Sequence, residues 1–591
     1  MECGLLWKRF QDSGANPDGL NLHWVQTNGT ASLQHGSRQS NVLEVGIQHR
    51  YETGSGRLQA RIENCKVMNR EQALQQIGSG RPWDVLVIGG GATGLGTALE
   101  AATRGYSTLL LEQEDFAKGT SSRSTKLAHG GVRYLQQGNI SLVLEALRER
   151  GRMLQNAPHL VHRQAFIIPA KSMWEVPFYG IGLKVYDALS GRSSFGNSRV
   201  LSASATLNAL PGLAVKYLSG GIQYYDGQFD DARMALALAL TLEEQGGVAL
   251  NQARVDKLLE RNGRVIGVAV DDRETGNRFE VEAKIVINAT GVFSDTLRSL
   301  DEPNAPPMLA VSQGSHFVLP KEFFSGTNAL MVPRTDDGRV LFAIPWHGAV
   351  VVGTTDEPVS GPSLEPRALA QERNFLMEQI ERYFGRRPKA QEILSMWSGL
   401  RPLVRKQGAT STAALSREHS VFVSPTKLVT VLGGKWTTYR QMGEDTVNVA
   451  AQAGNLPPRS SRTANLPLHG WVASEPTDQL QDSALSVYGS DRQFIEKLAT
   501  VRPELGELLH RRLPYRGSEV VWAVQNEMAR TVEDVLARRT RALFLDARAA
   551  IEAAPRVATL MAAELDRSAE WMERQIDHFT KLAEGYLYSE E

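Results

Sequence analysis

Three glycines follow an apolar strand and open a helix in the segment DVLVIGGGATGLGTALEAATRG. Gly89, Gly91 and Gly94 have the G-x-G-x-x-G spacing that permits a tight turn, close backbone approach to a pyrophosphate and close helix packing. The N-terminus of the helix presents N–H groups to such an anion. A second strand ends at Glu112, 18 residues after Gly94, where a carboxylate can accept hydrogen bonds from a ribose. The pattern predicts a dinucleotide site, and Glu112 disfavours a 2′-phosphate.

The fingerprint does not separate NAD from FAD, but three later segments favour a flavin. They are the polar loop GTSSRSTKLAHGG, the strand end INATG and the strand-to-helix turn GGKWTTYR, which could bring Lys435 and a helix N-terminus to the electron-rich edge of the ring. We therefore predict FAD. The predicted cofactor-binding residues are Gly89, Gly91, Gly94, Glu112, Thr120, Ser121, Ser122, Ala289, Thr290, Gly291, Gly433 and Gly434.

Length and composition limit the architecture and the partners. The chain has 591 residues, of which 42% are hydrophobic and 22% charged; it is too long for one hydrophobic core and too apolar to be mainly disordered. Lys plus Arg and Asp plus Glu each total 65, so the net charge is +0. Because no global basic field exists, we expect no nucleic-acid partner.

Cysteines and apolar runs limit the sites further. The two cysteines, Cys3 and Cys65, lie near the N-terminus, which excludes a disulfide framework, a Cys-ligated zinc and an iron–sulfur cluster from the main body. No His, Asp or Glu set has metal-ligand spacing, so we expect no metal. No apolar run reaches the roughly 18 residues of a membrane-spanning helix, which leaves a soluble protein or one on a membrane surface.

The chain is predicted to fall into three parts. Residues 1–67 show no helical or strand periodicity and are predicted to be a disordered extension. From 81 to 453 strands alternate with helices and Gly-rich turns, which is typical of an α/β (α+β) protein. Residues 466–591 are predicted to be helical, with a capping box at Thr531–Asp534 ahead of VLARRTRALFLDARAAIEAA.

The sequence resembles the FAD-dependent glycerol-3-phosphate dehydrogenases of the D-amino-acid-oxidase-like flavoproteins. The resemblance covers about residues 81–591 and is carried by GGGATG, GTSSRSTKLAHGGVRYL, INATGVFSD, QGSH, VGTTD, SGLRPL, SREH and GGKWTTYR. It implies a Rossmann-like FAD-binding domain interleaved with an antiparallel-sheet substrate domain, followed by a C-terminal helical domain. The implied reaction is the oxidation of sn-glycerol 3-phosphate to dihydroxyacetone phosphate, with electrons passed to a quinone.

The same resemblance implies the substrate site. Oxidation of a secondary alcohol requires removal of the hydroxyl proton, so we predict His316 as the general base, although it could instead be a core histidine that is merely hydrogen-bonded. Arg401 is predicted to polarise the reacting oxygen and Lys435 to stabilise reduced flavin. Several guanidinium groups suit a phosphate dianion. The predicted substrate-binding residues are Arg133, Tyr134, Arg401, Arg417 and Lys435. His129 could instead pack on the flavin, and Thr354, Thr355 and Asp356 could line the pocket or form an ordinary turn.

The segment Met173–Leu189 concentrates aromatic and aliphatic residues around Pro177. It could lie in a lipid interface, or pack in the core or against a second subunit of a homodimer. The resemblance favours a cytoplasmic enzyme held peripherally on the cytoplasmic membrane. The alternatives are a glycerol-3-phosphate oxidase that uses oxygen, a nonenzymatic FAD-binding protein and an NAD-linked dehydrogenase.

Overall fold

A computed structural model describes residues 68–131, 139–191, 195–405, 419–473 and 484–590, together with the backbone of two strands before them. The chain divides into two units, Met1–Lys66 and Val67–Glu591. In the first unit, strands β1 (His23–Thr27) and β2 (Thr30–Gln34) pair antiparallel. The rest of the segment predicted to be disordered lies outside the described residues, and its disorder stays a prediction.

The second unit contains the remaining strands. In chain order they are β3 (Trp83–Ile88), β4 (Thr108–Leu111), β5 (Leu127–Ala128), β6 (Val161–Ala170), β7 (Arg199–Leu201), β8 (Gly220–Phe229), β9 (Val248–Leu250), β10 (Ala253–Arg261), β11 (Arg264–Asp272), β12 (Arg278–Asn288), β13 (Leu309–Pro320), β14 (Ala329–Val332), β15 (Leu341–Trp346), β16 (Ala349–Gly353), β17 (Glu357–Pro358), β18 (Ser395–Val404), β19 (Ser420–Val423) and β20 (Val429–Leu432).

The α-helices are distributed among these strands and continue beyond them. They are α1 (Arg70–Gly78), α2 (Ala92–Thr103), α3 (Ile140–Asn156), α4 (Glu175–Ser190), α5 (Ala203–Ala209), α6 (Asp231–Glu244), α7 (Ser294–Asp301), α8 (Ala370–Phe384), α9 (Tyr439–Ala453), α10 (Arg492–Val501), α11 (Gly517–Asn526), α12 (Ala542–Leu545), α13 (Ala547–Leu565) and α14 (Ala569–Glu584). Among the described residues, no helix is both long and apolar enough to cross a bilayer.

The first sheet has a parallel centre in which β20, β12, β3, β4 and β9 lie side by side. Strands β3 and β4 are apolar runs whose residues are almost all buried, because helices such as α2 and α6 cover the sheet. The β10–β11 hairpin extends the sheet along the first half of β12. This arrangement confirms the predicted α/β fold and places the glycine turn after β3 at the carboxyl edge of the parallel strands.

The second sheet is antiparallel except where β14 runs parallel to β6. Strand β13 lies between β16 and β18 and sets the register of the site, because His316 stands opposite Gly353 on one side and Trp397 on the other. Arg401 of β18 stands opposite Ser312. Residues two apart on a strand share a face, so this register brings His316 and Arg401 to the same face of the sheet.

The part of the C-terminal segment that follows Thr531 is helical as predicted, but it is interrupted twice, at Arg541 and at Asp546. The predicted capping box is present: Asp534 N donates to Thr531 Oγ1 at 3.1 Å, and Thr531 N donates to Asp534 Oδ2 at 2.9 Å. The helix that follows is a π-helix, Asp534–Arg539, and Arg541 then has a positive φ of 64°. Buried ion pairs of Arg538 and Arg539 with Asp115 hold this interrupted geometry against ordinary helix propensity.

A charged histidine joins these helices to the first sheet's helices. His469 Nδ1 lies 2.6 Å from Glu244 Oε1, and His469 Nε2 lies 2.7 Å from Asp491 Oδ2. Although burial lowers the pKa of His469, the hydrogen bonds to the two carboxylates raise it to about 10. The imidazolium is therefore the form that stabilises the folded protein at neutral pH.

Candidate functional site

A cavity of about 850 Å³ is lined by residues of both sheets. The structure brings most of the predicted residues to its wall. Those that line it are Gly89, Gly91, Glu112, Thr120, Ser121, His129, Ala289, Thr290, Gly291, His316, Thr354, Thr355, Asp356, Arg401, Gly433, Gly434 and Lys435. Gly94 and Ser122 are buried and do not line the cavity. Arg133, Tyr134 and Arg417 lie outside the described residues, so their places in the site stay predictions.

One end of the cavity is built on the turn between β3 and α2. Gly91 is the N-cap of α2 and makes no side-chain cap, so the positive end of the helix is left to backbone N–H groups. Gly91, Ala92 and Thr93 all line the cavity. Ser121, from the polar loop, accepts a hydrogen bond from Ala92 N at 2.9 Å. This end of the cavity therefore has the donors that a pyrophosphate requires.

Glu112 follows β4 and faces the same end of the cavity. Its carboxylate accepts hydrogen bonds from Gly90 N at 2.6 Å and Glu114 N at 2.9 Å. Burial raises the pKa of Glu112 to about 7, against the effect of these two hydrogen bonds. A side chain held in this way against the glycine turn is suited to hydrogen-bond a ribose at the predicted position.

His316 of β13 lines the part of the cavity that the second sheet supplies, and it is 2% exposed. Its ring stacks on Trp397 with centroids 4.1 Å apart, and its Nε2 lies 3.0 Å from Thr125 Oγ1. Gly353 makes room for the ring, since a Cβ there would lie 2.3 Å from His316 Cδ2. Burial, followed by the charges of Lys126 and Arg401, holds the pKa of His316 well below its usual range. The imidazole is therefore neutral at pH 7.

Arg401 is oriented by a ring of acceptors on neighbouring strands. Its Nη2 donates to Thr354 Oγ1 at 2.9 Å and to the Thr355 carbonyl at 3.0 Å. Its Nη1 lies 3.3 Å from Asp356 Oδ1. Thr354, Thr355 and Asp356 therefore line the pocket and also hold the guanidinium, which fixes a positive charge close to His316.

Lys435 approaches from the first sheet, after β20. It precedes the 3₁₀ turn Trp436–Thr438, which leads directly into α9. The indole of Trp436 donates to the Ser121 carbonyl at 2.8 Å, which ties the GGK turn to the polar loop. His129 lines the same region, and its carbonyl lies 3.5 Å from Thr437 Oγ1. Segments about 300 residues apart in the sequence thus form one wall.

Two contributors to the site were not singled out from the sequence. Thr125 contacts His316 directly, and Trp397 stacks on the same ring. Thr125 lies inside the loop GTSSRSTKLAHGG, which was predicted to line the site, but the motif does not show which of its hydroxyl groups contacts His316. No local pattern marks Trp397, since its contact depends on the β13–β18 register.

The residues present fit a flavin dinucleotide. The glycine turn, the N-terminus of α2 and Glu112 suit its adenosine diphosphate half, while Lys435 and the GGK turn suit its ring. The volume of the cavity is in the range of cofactor and ligand sites. His316 and Arg401 line the part of the cavity that the second sheet supplies, where a substrate would meet the ring.

Comparison with protein families agrees with this geometry. The FAD dependent oxidoreductase family matches residues 84–439, and the C-terminal domain of alpha-glycerophosphate oxidase matches residues 424–572. The mitochondrial glycerol-3-phosphate dehydrogenase of Bos taurus is 40% identical over 558 residues, which cover 89% of this chain and 76% of the bovine protein. The glycerol-3-phosphate dehydrogenase SDP6 of Arabidopsis thaliana is 39% identical over 550 residues, covering 86% of this chain and 87% of the plant protein.

Solved structures extend the comparison to the fold. The glycerol-3-phosphate dehydrogenase from Bacillus halodurans, solved in complex with FAD, superposes with a TM-score of 0.70 at 29% identity and covers 88% of this chain and 98% of its own. Family and relatives together cover the first sheet, the second sheet and the C-terminal helices. The chain belongs to the FAD-dependent glycerol-3-phosphate dehydrogenases.

Proposed function

We propose that this protein oxidises sn-glycerol 3-phosphate to dihydroxyacetone phosphate and passes the electrons to a membrane quinone. One observation carries the proposal: a single cavity joins a dinucleotide-binding turn to a buried histidine, an arginine held by hydrogen bonds and a lysine. Bound FAD supplies the hydride acceptor for the alcohol carbon.

The chain's first task is to hold the cofactor. The N-terminus of α2 and the backbone at Gly89 and Gly91 would bind the pyrophosphate, and Glu112 the ribose. Lys435 would lie near the ring and favour its reduced, more negative form. These assignments follow the positions of the residues on the cavity wall.

His316 would remove the hydroxyl proton of the substrate. Its Nε2 is the ring atom next to the Thr125 hydroxyl, and a hydroxyl can donate to a neutral nitrogen or accept from a protonated one. In the resting enzyme Thr125 would donate to the single lone pair of Nε2; the substrate hydroxyl would displace that donor, and Thr125 would then accept a hydrogen bond from the protonated Nε2. A neutral imidazole is the state that general-base catalysis needs.

Arg401 would hold the negative oxygens of the substrate beside His316. Its guanidinium is already oriented by Thr354 and Thr355, so little further ordering is needed on binding. The predicted Arg133, Tyr134 and Arg417 would complete the phosphate site. A dianion bound by several cations explains a preference for glycerol 3-phosphate over free glycerol.

The exposed face of α4 supports attachment to a membrane surface. Met173, Trp174, Phe178 and Ile181 are 77%, 86%, 64% and 68% exposed, whereas Leu183 on the opposite side of the helix is buried. Aromatic and aliphatic side chains of this kind bind the lipid interface without crossing it. A location on the cytoplasmic face of a membrane, and a homodimer, stay predictions.

The test is anaerobic reduction of the purified protein. Its visible spectrum should be that of a flavoprotein, and glycerol 3-phosphate should bleach it while free glycerol does not. A quinone analogue should then restore the oxidised spectrum faster than oxygen does. Faster reoxidation by oxygen would favour the oxidase alternative, to which the C-terminal domain match also points. A flavin that no substrate bleaches would favour a nonenzymatic FAD-binding protein.

A further inference from the structure

A buried carboxylate holds the segment that contacts His316. Asp231, in the first turn of α6, is 0% exposed. Its Oδ2 accepts hydrogen bonds from Ser124 N at 3.0 Å, from Ser124 Oγ at 2.7 Å and from Lys126 Nζ at 2.7 Å. One carboxylate therefore fixes the residues on both sides of Thr125.

The C-terminal helices hold the same segment from the other side. Arg541 Nη2 donates to the Ser122 carbonyl at 2.9 Å and to Asp231 Oδ1 at 3.1 Å. Lys126 Nζ donates to the same Ser122 carbonyl at 2.7 Å. We call Asp231, Arg541 and Lys126 the loop clamp. It joins the polar loop, α6 and the C-terminal helices inside the protein.

The backbone at Arg541 is itself unusual. Its φ of 64° lies in the left-handed region, which residues with a Cβ seldom adopt, and it lies two residues after the end of the π-helix at Arg539. Such a conformation persists only where surrounding contacts hold it. The contacts here are the buried hydrogen bonds of its guanidinium to Ser122 and Asp231. The irregular backbone therefore places the guanidinium where it can bind these two residues.

The loop segment that the clamp holds contacts the ring of His316 through Thr125. Thr125 lies between the two residues that Asp231 holds, and its Oγ1 is 3.0 Å from His316 Nε2. Trp397 contacts both Lys126 of the loop clamp and His316. Lys126 Nζ lies 4.7 Å from the centroid of the Trp397 ring, and His316 stacks on that ring. A shift of the loop would therefore change the hydrogen bond of Nε2 without moving any strand that carries His316.

We propose that Asp231 is a positioning residue for the reaction: with Arg541 it holds the Thr125 hydroxyl against Nε2 of His316 and so fixes the orientation of the proton acceptor. The inference rests on the proposed role of His316. It makes the C-terminal helical part of the chain a contributor to the chemistry, since one half of the clamp comes from there.

The test uses anaerobic stopped-flow reduction of the flavin in the purified holoenzyme. The variants are Thr125→Val, Thr125→Ser, Asp231→Asn and the double variant Thr125→Val/Asp231→Asn. Loss of one positioning hydrogen bond should slow the limiting reduction rate about tenfold, with the dissociation constant of glycerol 3-phosphate changed less than about twofold. Thr125→Ser should recover the wild-type rate. Asp272→Asn is the matched control, because Asp272 is buried to a similar degree and paired with Arg70, but its hydrogen bonds go to Arg70, Glu274 and Thr275 and not to the polar loop.

The double variant decides how Asp231 acts. If Asp231 works through Thr125, the double variant should be about as slow as either single variant, near tenfold. A loss near a hundredfold would show independent effects and overturn the proposal, as would a wild-type rate for Thr125→Val. Equal slowing by Asp272→Asn would also overturn it, since the effect would then be a general loss of rigidity.

Two further results keep the experiment decisive. If Asp231→Asn does not yield folded flavoprotein, the same cycle is made with Arg541→Lys, which keeps the charge and loses the paired donors; additive losses there would overturn the proposal. If the wild-type flavin is not bleached by glycerol 3-phosphate, the proposed function fails instead. If glycerol 3-phosphate bleaches the wild-type flavin and Thr125→Val is reduced at the wild-type rate, the positioning role of Asp231 is refuted and the proposed function stands.

Discussion

Replacing Gly94 by alanine should damage the dinucleotide turn from within the protein. Gly94 lies in the first turn of α2, and a Cβ built there would lie 1.8 Å from the Gly89 carbonyl oxygen and 3.0 Å from its carbon. Both are backbone atoms of the turn after β3. A rotamer change cannot relieve the clash, so the helix and the turn must separate.

The size of the effect follows from that distance. Ordinary Cβ contacts begin near 3.4 Å, so the helix and the turn must move apart by about 1.6 Å. Overpacking of this kind costs about 1–3 kcal/mol, and it lowers the free energy of unfolding of the protein even without FAD. Because the same turn would bind the pyrophosphate, we also expect the dissociation constant of FAD to rise about tenfold or more, equivalent to about 1.4 kcal/mol or more of binding energy, and the flavin content to fall with it.

Gly91 provides the matched comparison. A Cβ at Gly91 meets only Ser121 Oγ, at 3.0 Å, and the residue has φ −85° and ψ −176°, which any residue adopts. Gly91→Ala should therefore leave the stability of the apoprotein unchanged. Gly91→Val would fill the space on the cavity side, so it should abolish FAD retention while the apoprotein stays folded.

The assay has two readouts on each variant. The flavin-to-protein ratio after gel filtration measures cofactor retention, and denaturant unfolding of the apoprotein measures stability. Gly94→Ala should lower both, and Gly91→Val only the first. Wild-type stability and flavin content in Gly94→Ala would refute the steric argument, and full flavin retention in Gly91→Val would remove Gly91 from the pyrophosphate site.

Four further predictions follow from the site and its surroundings. His316→Ala should slow anaerobic flavin reduction by roughly 10²–10⁴-fold with FAD still bound; rapid reduction at neutral pH would remove it from the base role. Arg401→Ala should lower kcat/KM for glycerol 3-phosphate by about tenfold for each 1.4 kcal/mol lost, and an unchanged value would contradict its contact with substrate. The double variant Trp174→Glu/Phe178→Glu should release the enzyme from lipid vesicles and spare flavin reduction by substrate; a variant that sediments with vesicles would show that this helix face is not the anchor. His469 has a folded-state pKa of about 10 against an ordinary 6.5, so its stabilising effect is complete below about pH 6.5 and is lost as the pH rises towards 10. The difference in unfolding free energy between wild type and His469→Gln should shrink over that range, and a difference that is constant with pH would contradict the ion-pair assignment.

The sequence by itself determined the features that depend on neighbouring residues. The G-x-G-x-x-G turn, the strand ending at Glu112 and the GGK turn before α9 have the predicted local structures. Their signals are short-range: the turn needs glycines where the backbone is crowded, and buried parallel strands need continuous apolar runs. FAD was predicted from the glycine turn with three later segments, and the reaction class from the resemblance; both agree with the family.

Tertiary structure alone decided which side chains meet. The contact of Thr125 with His316, and the stacking of His316 on Trp397, depend on strand register and on a loop folded over the second sheet. The apolar segment around Trp174 is exposed, although its composition suits a core equally well. Composition records how apolar a segment is but not which surfaces the rest of the chain will cover.

The interrupted helix after Thr531 likewise has one feature that the sequence predicts and another that only the tertiary structure determines. Its capping box could be predicted from the sequence, because it joins residues three positions apart. The π-helix and the left-handed conformation of Arg541 could not be predicted from the sequence, because they depend on partners such as Asp115 and Asp231, which are more than 300 positions away. In a buried, low-dielectric environment an arginine must meet its carboxylate, since an unpaired charge there costs several kcal/mol. That requirement outweighs local helix propensity, which amounts to less than about 1 kcal/mol per residue.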